Sequence, residues 1–194
     1  MTYDEVRAAV SGYMHRTDQE TIDNEPTALE LARERLGRDF FPESASALVE
    51  LFLLEGVGVL PADFGQADTV TAPDGEPLLY ELPRVFMRGG ASRGRFTITG
   101  GELLAGGAFL SVMLLYYKTA PAIGPGGTNW LSEQYPDVWI WQGIAEQHRF
   151  VQDFESAQIA EQHAMQVAEQ AVMRTRANRG GGSLRMTSRR GYGT

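Results

Sequence analysis

Apolar residues recur at helical spacing at both ends of the chain, whereas the middle has a different pattern. Over residues 2–16 they fall every three or four positions, which predicts an amphipathic first helix. Thr2 and Glu5 stand three residues apart, the spacing of a capping box in which a hydroxyl and a carboxylate each accept a free amide at the helix start. The chain should therefore begin with a capped helix.

A second helix is predicted after a polar loop over residues 18–24. Pro26 suits the first turn of this helix, where a proline loses no hydrogen bond, and Asp23 or Asn24 suits the cap. Gly37 suits the helix end, because glycine adopts left-handed backbone angles without strain. We expect the two helices to form a hairpin.

The middle of the chain consists of short segments separated by glycine and proline. Residues 95–99 alternate polar and apolar side chains, the period of a half-buried strand. Turn signals at Pro61, residues 73–75, residues 89–90 and residues 100–101 separate the segments. An antiparallel sheet or small barrel should result. The predicted strands are 48–59, 78–87, 95–99 and 109–118.

Helical signals return after residue 127. Thr128 suits the cap of a short turn, Pro136 the first position of a longer helix, and Asp153 the cap of a last helix. From residue 178 the chain is rich in glycine, serine and arginine, and we expect this tail to be disordered on its own. The stripe predicted for the last helix is Phe154, Ala157, Ala160, Ala164, Val167 and Ala171.

The order of elements predicts an α+β fold. Helices, then strands, then helices are most simply arranged as a β domain inserted into a helical one. We expect a bundle of about four helices, an antiparallel sheet domain and an extended C-terminal tail. The predicted boundaries are 1–44 for the helical hairpin, 45–119 for the inserted β domain, 120–177 for the helices that complete the bundle, and 178–194 for the docking tail.

Composition excludes several functional classes. The chain has no cysteine, so disulfides, thiolate metal ligands and cysteine catalysis are excluded. The longest uncharged apolar stretch, residues 103–117, is shorter than the roughly 18 to 20 residues of a membrane span. A formal charge of -8 argues against a general nucleic-acid binder. We therefore expect a soluble protein that has no membrane partner.

The charge is unevenly distributed. Six of the 17 basic residues are arginines within 174–194, which has no acidic residue, so 11 basic residues face all 25 acidic ones elsewhere. The body thus carries about -14 and the tail about +6, an asymmetry that favours a tail that meets an acidic surface. A solubilising tail is the alternative. The predicted docking residues are Arg174, Arg176, Arg179, Leu184, Arg185, Met186, Arg189, Arg190 and Tyr192.

Residues with catalytic or metal-binding potential form no convincing site. Residues 90–94 match the G-x-S-x-G pattern around Ser92, but a hydrolase needs a strand before this serine and a helix after it. A strand is predicted after it, which favours a hairpin tip over a hydrolase. His148 and His163 are 15 residues apart, so they would be separated by about 22 Å if they lay on one continuous helix. His15 has no partner at the spacing of a metal ligand. We predict no enzyme, no metal site and no cofactor.

Tryptophans offer a candidate subunit interface at Trp130 and Trp139. Trp139 and Trp141 are two residues apart in a predicted helix, so their side chains point in different directions. An outward-facing Trp139 would favour oligomerisation, since aromatic residues are enriched at interfaces.

Several pieces, in order along the chain, resemble the head–tail adaptor (head-completion or tail tubular adaptor) proteins of tailed bacteriophages. The most telling are Val-Leu-Pro-Ala-Asp-Phe at 59–64 and Asn-Trp-Leu-Ser-Glu-Gln-Tyr-Pro-Asp at 129–137. The set is completed by a short opening helix that ends near residues 15–16, the helix at 28–39, Phe-Thr-Ile-Thr-Gly-Gly-Glu at 96–102 and Val-Met-Leu-Leu-Tyr-Tyr-Lys at 112–118.

The resemblance implies a helical bundle with an inserted β domain and no general catalytic site. It also implies a homo-oligomeric ring of twelve subunits beneath the portal protein, with DNA passing through the centre without sequence-specific binding. The C-terminal segment would embrace the portal, and the next tail component, a nozzle or tail terminator, would be a further partner. The expected location is the head–tail junction of the virion, after assembly in the host cytoplasm. A nucleic-acid-binding accessory protein that uses the basic tail is the alternative.

Overall fold

The structure is a computed structural model that describes residues 1–16, 18–89 and 92–179, the last five of these by their backbone alone. Within these residues six α-helices and seven strands form an α+β fold, which confirms the predicted class. The helices are α1 (Tyr3–Met14), α2 (Gln19–Asp39), α3 (Pro83–Gly89), α4 (Trp130–Gln134), α5 (Pro136–Phe150) and α6 (Phe154–Arg179). The strands are β1 (Ser46–Phe52), β2 (Val57–Val59), β3 (Phe64–Thr71), β4 (Leu79–Tyr80), β5 (Arg95–Thr99), β6 (Glu102–Ala105) and β7 (Ser111–Lys118).

Helix α5 is the centre of the helical bundle and packs against α1, α2 and α6. Close approach is possible because Gly143 has no side chain. A Cβ atom there would lie 3.0 Å from Leu29 Cδ2 and 3.2 Å from Val10 Cγ2. Small alanines of α6 pack on the bundle as predicted, with Ala160 and Ala164 buried, whereas Phe154 is 68% exposed and is not part of this stripe.

Trp139 lies in the core of the bundle, which corrects the expectation that it faces outward. Its side chain is only 1% exposed, and its ring lies 6.3 Å from that of Tyr3. The indole Nε1 donates a hydrogen bond to the carbonyl of Leu29 at 3.0 Å. A neighbouring subunit cannot reach this side chain while the bundle is folded, so we do not propose a subunit contact through it.

The second helix begins earlier than predicted. Asp18 is its cap and accepts a hydrogen bond from the amide of Thr21 at 3.1 Å. The predicted caps Asp23 and Asn24 lie inside the helix, and so does Gly37, two residues before the helix ends.

Helix α2 continues through Pro26 because another helix satisfies the group that the proline leaves free. A proline has no N–H to donate to the carbonyl four residues earlier. Here that carbonyl belongs to Ile22, and Arg7 Nη2 of α1 donates to it at 3.4 Å. The same guanidinium pairs with Glu25 at 2.7 Å, whose carboxylate also accepts a hydrogen bond from Ser11.

The strands form two sheets that bury one side each against the other. Sheet A has the order β1-β7-β3, and sheet B has the order β2-β6-β5-β4, in which β4 is parallel to β5 and the other pairs are antiparallel. Val70 and Leu114 of sheet A share a core with Phe96 and Leu103 of sheet B. We call these strands together with α3 the β unit.

The strand predictions are partly wrong. Residues 78–87 form the two-residue β4 and then α3, because Pro83 suits the first position of a helix. Residues 48–59 are divided into β1 and β2 by a turn in which Glu55 and Gly56 have positive φ angles. The sequence does not predict β3, whose register shifts interrupt the simple alternation of a strand.

The chain leaves the bundle before β1 and returns after β7, and side-chain contacts fix both connecting segments. The rings of Phe41 and Tyr117 lie 5.5 Å apart. Arg33 Nη1 of α2 donates a hydrogen bond to the carbonyl of Ala120 at 2.6 Å. That residues 45–119 are an independent inserted domain stays a prediction.

Replacing Arg7 should destabilise the bundle. In Arg7→Ala, the buried Glu25 carboxylate loses its ion pair and the Ile22 carbonyl loses its hydrogen-bond donor. We therefore expect the free energy of unfolding to fall by about 1–3 kcal/mol. In a Pro26→Ala background, the restored N–H of residue 26 can donate to the Ile22 carbonyl. Arg7→Ala should therefore lower the free energy of unfolding by less in that background than in the wild type. Urea denaturation measures both. The exposed Arg38 is the control, and an equal loss in Arg38→Ala would contradict this explanation.

Trp139→Phe tests the core position of that indole. The smaller ring removes the hydrogen bond to Leu29 and leaves a cavity, so the free energy of unfolding should fall by about 1–3 kcal/mol. The oligomeric state of the folded protein, measured by analytical ultracentrifugation, should not change. Loss of oligomers without loss of stability would show that the indole contacts a neighbour.

Candidate assembly surfaces

The motif at residues 59–64 connects β2 of sheet B to β3 of sheet A and contacts the end of β7. Its Asp63 carbonyl accepts a hydrogen bond from the amide of Thr119 at 2.8 Å, and its carboxylate accepts one from Tyr116 Oη at 2.9 Å. Burial, and then this hydrogen bond, raise the pKa of Tyr116 to about 12. The ring of Phe64 stacks on that of Tyr116 at 5.8 Å. These contacts hold the start of β3 beside the end of β7.

The motif at residues 129–137 joins α4 to the point where the chain returns from the β unit. Asn129 caps α4 by accepting a hydrogen bond from the Ser132 amide at 2.9 Å. Its Nδ2 donates to the carbonyl of Pro121 at 2.8 Å. The hydroxyl of Tyr135 lies 2.7 Å from Ser44 Oγ, on the segment that leads into β1. The two most telling motifs therefore have structural roles in the described chain.

The elements around Ser92 have the reverse order of a hydrolase nucleophile turn. Helix α3 precedes the serine and strand β5 follows it, whereas that turn needs a strand first and a helix second. The carbonyl of Ser92 accepts a hydrogen bond from the amide of Arg95 at 3.2 Å, as in a tight turn. Gly90 and Ala91 lie outside the described residues.

The two candidate metal ligands have separate partners. His148 Nδ1 lies 3.4 Å from Asp153 Oδ2 at the junction of α5 and α6. The ring of His163 stacks on that of Trp141, with 4.9 Å between centroids. Among the residues that the structure describes, no group of three or more histidine, cysteine, aspartate or glutamate residues could hold a metal ion.

The predicted docking residues lie at or beyond the end of α6. Arg174 is exposed, and Arg176 and Arg179 belong to α6 by their backbone. The remaining residues of this set lie outside the described chain: Leu184, Arg185, Met186, Arg189, Arg190 and Tyr192. Trp130 is half-buried, with its ring 6.5 Å from that of Phe40.

Sheet A has a second apolar side that does not face sheet B. Strand pairing places Leu48 opposite Leu115, Glu50 opposite Met113, and therefore all four on this side. Phe52 is 76% exposed and Leu48 is 64% exposed. We call this side the outer face of sheet A. Its apolar members are Leu48, Phe52, Met113, Leu115 and Tyr117.

One negative charge lies within the outer face of sheet A, and another lies beside it. Glu50 is exposed between Leu48 and Phe52, and its carboxylate accepts a hydrogen bond from Ser111 at 2.7 Å. Asp68 is exposed in the register shift of β3, next to Thr69. No paired strand position on this side is basic.

The outer face of sheet A continues onto the bundle through Phe41. This side chain contacts Tyr117 and also lines a groove between the end of α2 and α6. Met165 and Met173 line the same groove and are 59% and 67% exposed. An apolar surface therefore extends from sheet A to α6.

A different apolar surface lies on the opposite side of the β unit. Thr97 of β5 faces away from the core that the sheets share, yet it is fully buried, because α3 packs on this side of sheet B. Phe86 of α3 is buried there as well. Two sheets thus separate α3 from the outer face of sheet A.

Helix α3 exposes apolar and basic side chains together. Leu82 is 62% exposed, Val85 50% and Met87 71%. Arg84 and Arg88 are also exposed and form no ion pair within the described chain. We call these five residues the α3 pad.

The α3 pad belongs to a basic segment that the sequence analysis missed. From residue 82 to residue 101 the sequence has four arginines and no acidic residue, although the body as a whole is acidic. Arg95 pairs with Glu81, which precedes the segment. Counting charge within short windows, and not only over the body and the tail, could have found it.

Comparison with known proteins gives the family. The sequence model of the SU10 adaptor protein family matches residues 1–190. A search of curated proteins finds no match to this chain. In the described residues, no helix has the length and apolar character needed to cross a membrane. Since the family match covers nearly the whole sequence, the chain belongs to the SU10 adaptor protein family, a family of phage head–tail adaptors.

Proposed function

We propose that this chain is one subunit of the ring-shaped adaptor that joins the phage portal to the tail and continues the DNA channel. The observation that carries the ring is the pair of unlike exposed surfaces on opposite sides of the β unit. A cyclic ring repeats one contact between two different surfaces of each subunit, whereas a twofold dimer needs a single self-complementary surface. Membership of an adaptor family supports an assembly with other phage structural proteins.

The proposed ring contains twelve copies, with the portal on one side and the next tail component, a nozzle or tail terminator, on the other. Its location is the head–tail junction of the virion, after assembly in the host cytoplasm. Trp130 is a candidate subunit contact. The copy number, the partners and the location rest on the resemblance to head–tail adaptors together with the family match, and the choice of Trp130 rests on the enrichment of aromatic residues at interfaces.

The charge of the body suits the wall of a DNA channel. The residues before 174 include all 25 acidic residues and 11 of the 17 basic ones. An acidic wall repels phosphates, so passing DNA would not be held by it. DNA would therefore pass through the ring without sequence-specific binding.

The C-terminal segment 178–194 is proposed to dock on the portal. Its arginines can form forked hydrogen bonds with carboxylates of the portal, and Leu184, Met186 and Tyr192 can enter apolar pockets. A single arm loses conformational entropy when it docks. Many arms on one ring offset that loss by avidity, because each arm after the first binds at a high effective concentration.

Deleting residues 178–194 tests the docking proposal. The deletion removes no residue of the two described cores, so the thermal unfolding midpoint should stay within a few degrees. Affinity for the cognate portal should fall at least about 100-fold, because avidity is lost. Binding is measured by surface plasmon resonance, and electron micrographs of the full chain with the portal should show one twelve-membered ring per portal.

A charge-matched control distinguishes bidentate hydrogen bonds of the arginines from nonspecific electrostatic attraction. A chain with Arg185→Lys, Arg189→Lys and Arg190→Lys keeps the tail charge but loses bidentate geometry, so its portal affinity should lie between those of the wild type and the deletion. Unchanged portal binding by the deletion would refute docking through the tail. Tight binding of duplex DNA at physiological salt, lost on the same deletion, would favour the nucleic-acid-binding alternative.

A further inference from the structure

We propose that the α3 pad of one subunit docks on the outer face of sheet A of the next copy of this chain, and that this contact closes the ring. The inference rests on the proposed function, because it identifies the two surfaces that meet. It also explains why the β unit exposes large apolar side chains on both of its outer sides.

The apolar parts of the two surfaces match in character. The pad presents Val85 and Met87 on the two flanks of α3, which packs against β5 of sheet B, with the arginines of the pad between them. The outer face of sheet A presents Leu48 and Phe52 beside the half-buried Leu115. A helix can pack apolar side chains on the open side of a sheet, and α3 packs in this way against β5 of its own sheet B, with Phe86 buried. Contiguous exposed apolar surface of this kind marks interaction sites.

The charges of the two surfaces are of opposite sign. Arg84 and Arg88 are the charged residues of the pad. Glu50 and Asp68 are exposed on or beside the outer face of sheet A. Opposite charges at an interface fix the choice of partner and the register of the contact. The complementarity favours a second copy of this chain over an unrelated partner.

Charge also disfavours the two self-contacts. A contact between two pads would bring four arginines together, and a contact between two outer faces would bring glutamates together. Juxtaposed like charges cost binding free energy. The pad cannot reach the outer face of its own subunit, because two sheets about 10 Å apart lie between them. The arrangement therefore favours head-to-tail addition of subunits.

Two variants that each block one surface test the contact. Val85→Asp with Met87→Asp disables the pad, and Leu48→Asp with Phe52→Asp disables the outer face. All four side chains are at least half exposed, so both variants should fold, as thermal unfolding will check. Each variant alone should fail to form rings with the cognate portal, and the subunit dissociation constant should rise at least about 100-fold.

Mixing the two variants gives a result that simple destabilisation cannot mimic. The pad variant keeps an intact outer face, and the face variant keeps an intact pad. A pair of the two variants can therefore form one contact, after which no intact surface is left. Analytical ultracentrifugation of the equimolar mixture at high concentration should show one-to-one heterodimers and nothing larger, whereas each variant alone stays monomeric. Absence of the heterodimer, or rings from either variant, would overturn the proposal.

Reversing charges tests the register of the contact. Arg84→Glu with Arg88→Glu, or Glu50→Arg with Asp68→Arg, should each raise the subunit dissociation constant roughly tenfold or more. All four substitutions in one chain should restore it to within about threefold of the wild type, because coupled sites compensate each other. Failure of this rescue would show that the two surfaces do not face each other.

A matched control variant and the wild-type chain distinguish failure of the docking inference from failure of the proposed function. Phe154→Asp introduces one aspartate at a similarly exposed position outside both surfaces, so rings should persist. If Phe154→Asp blocks rings equally, the two surfaces have no special role and the docking inference fails. If wild-type rings form and both blocked variants also form them, only the docking inference fails. If the wild type forms no ring on the portal, the proposed function fails.

Discussion

A β-sheet has two sides, and the two sheets of this chain bury only one side each against the other. Val70 and Leu114 meet Phe96 and Leu103 in that shared core. The helical bundle contacts sheet A at the end of its central strand β7, where Phe41 meets Tyr117, and it does not cover the rest of the outer face within the described chain. Helix α3 covers part of the opposite side. Each outer side of the β unit therefore keeps apolar surface that folding of the single chain does not bury.

This constraint connects the fold to assembly. Exposed apolar surface of this extent is unfavourable in a protein that stays alone, and its burial between subunits releases the corresponding free energy. Because the two surfaces differ in shape and in the sign of their charge, they suit a ring more than a twofold dimer. The two most telling motifs of the resemblance stabilise the region that positions the two surfaces. Asp63 joins β3 to β7, and Asn129 fixes the return of the chain to the bundle.

Local signals in the sequence predict the elements that local contacts determine. The capping box of Thr2 and the helix that begins at Pro136 are both confirmed. The path of α2 through Pro26 could not be predicted, because the donor to the freed carbonyl comes from Arg7 in another helix. The outer face of sheet A also escapes prediction. Strand β7 is apolar on both sides, and a sequence does not distinguish a side that packs inside the subunit from one that packs against a neighbour.

The proposed contact joins unlike sides of the β unit in neighbouring subunits. A cryo-electron microscopy reconstruction of the full chain bound to its cognate portal tests it most directly. We expect a closed ring in which Met87 of each subunit lies within van der Waals distance of sheet A of the next, with Leu48 and Phe52 buried at that contact. A ring in which these three side chains remain in solvent, or one held together by identical surfaces, would contradict it.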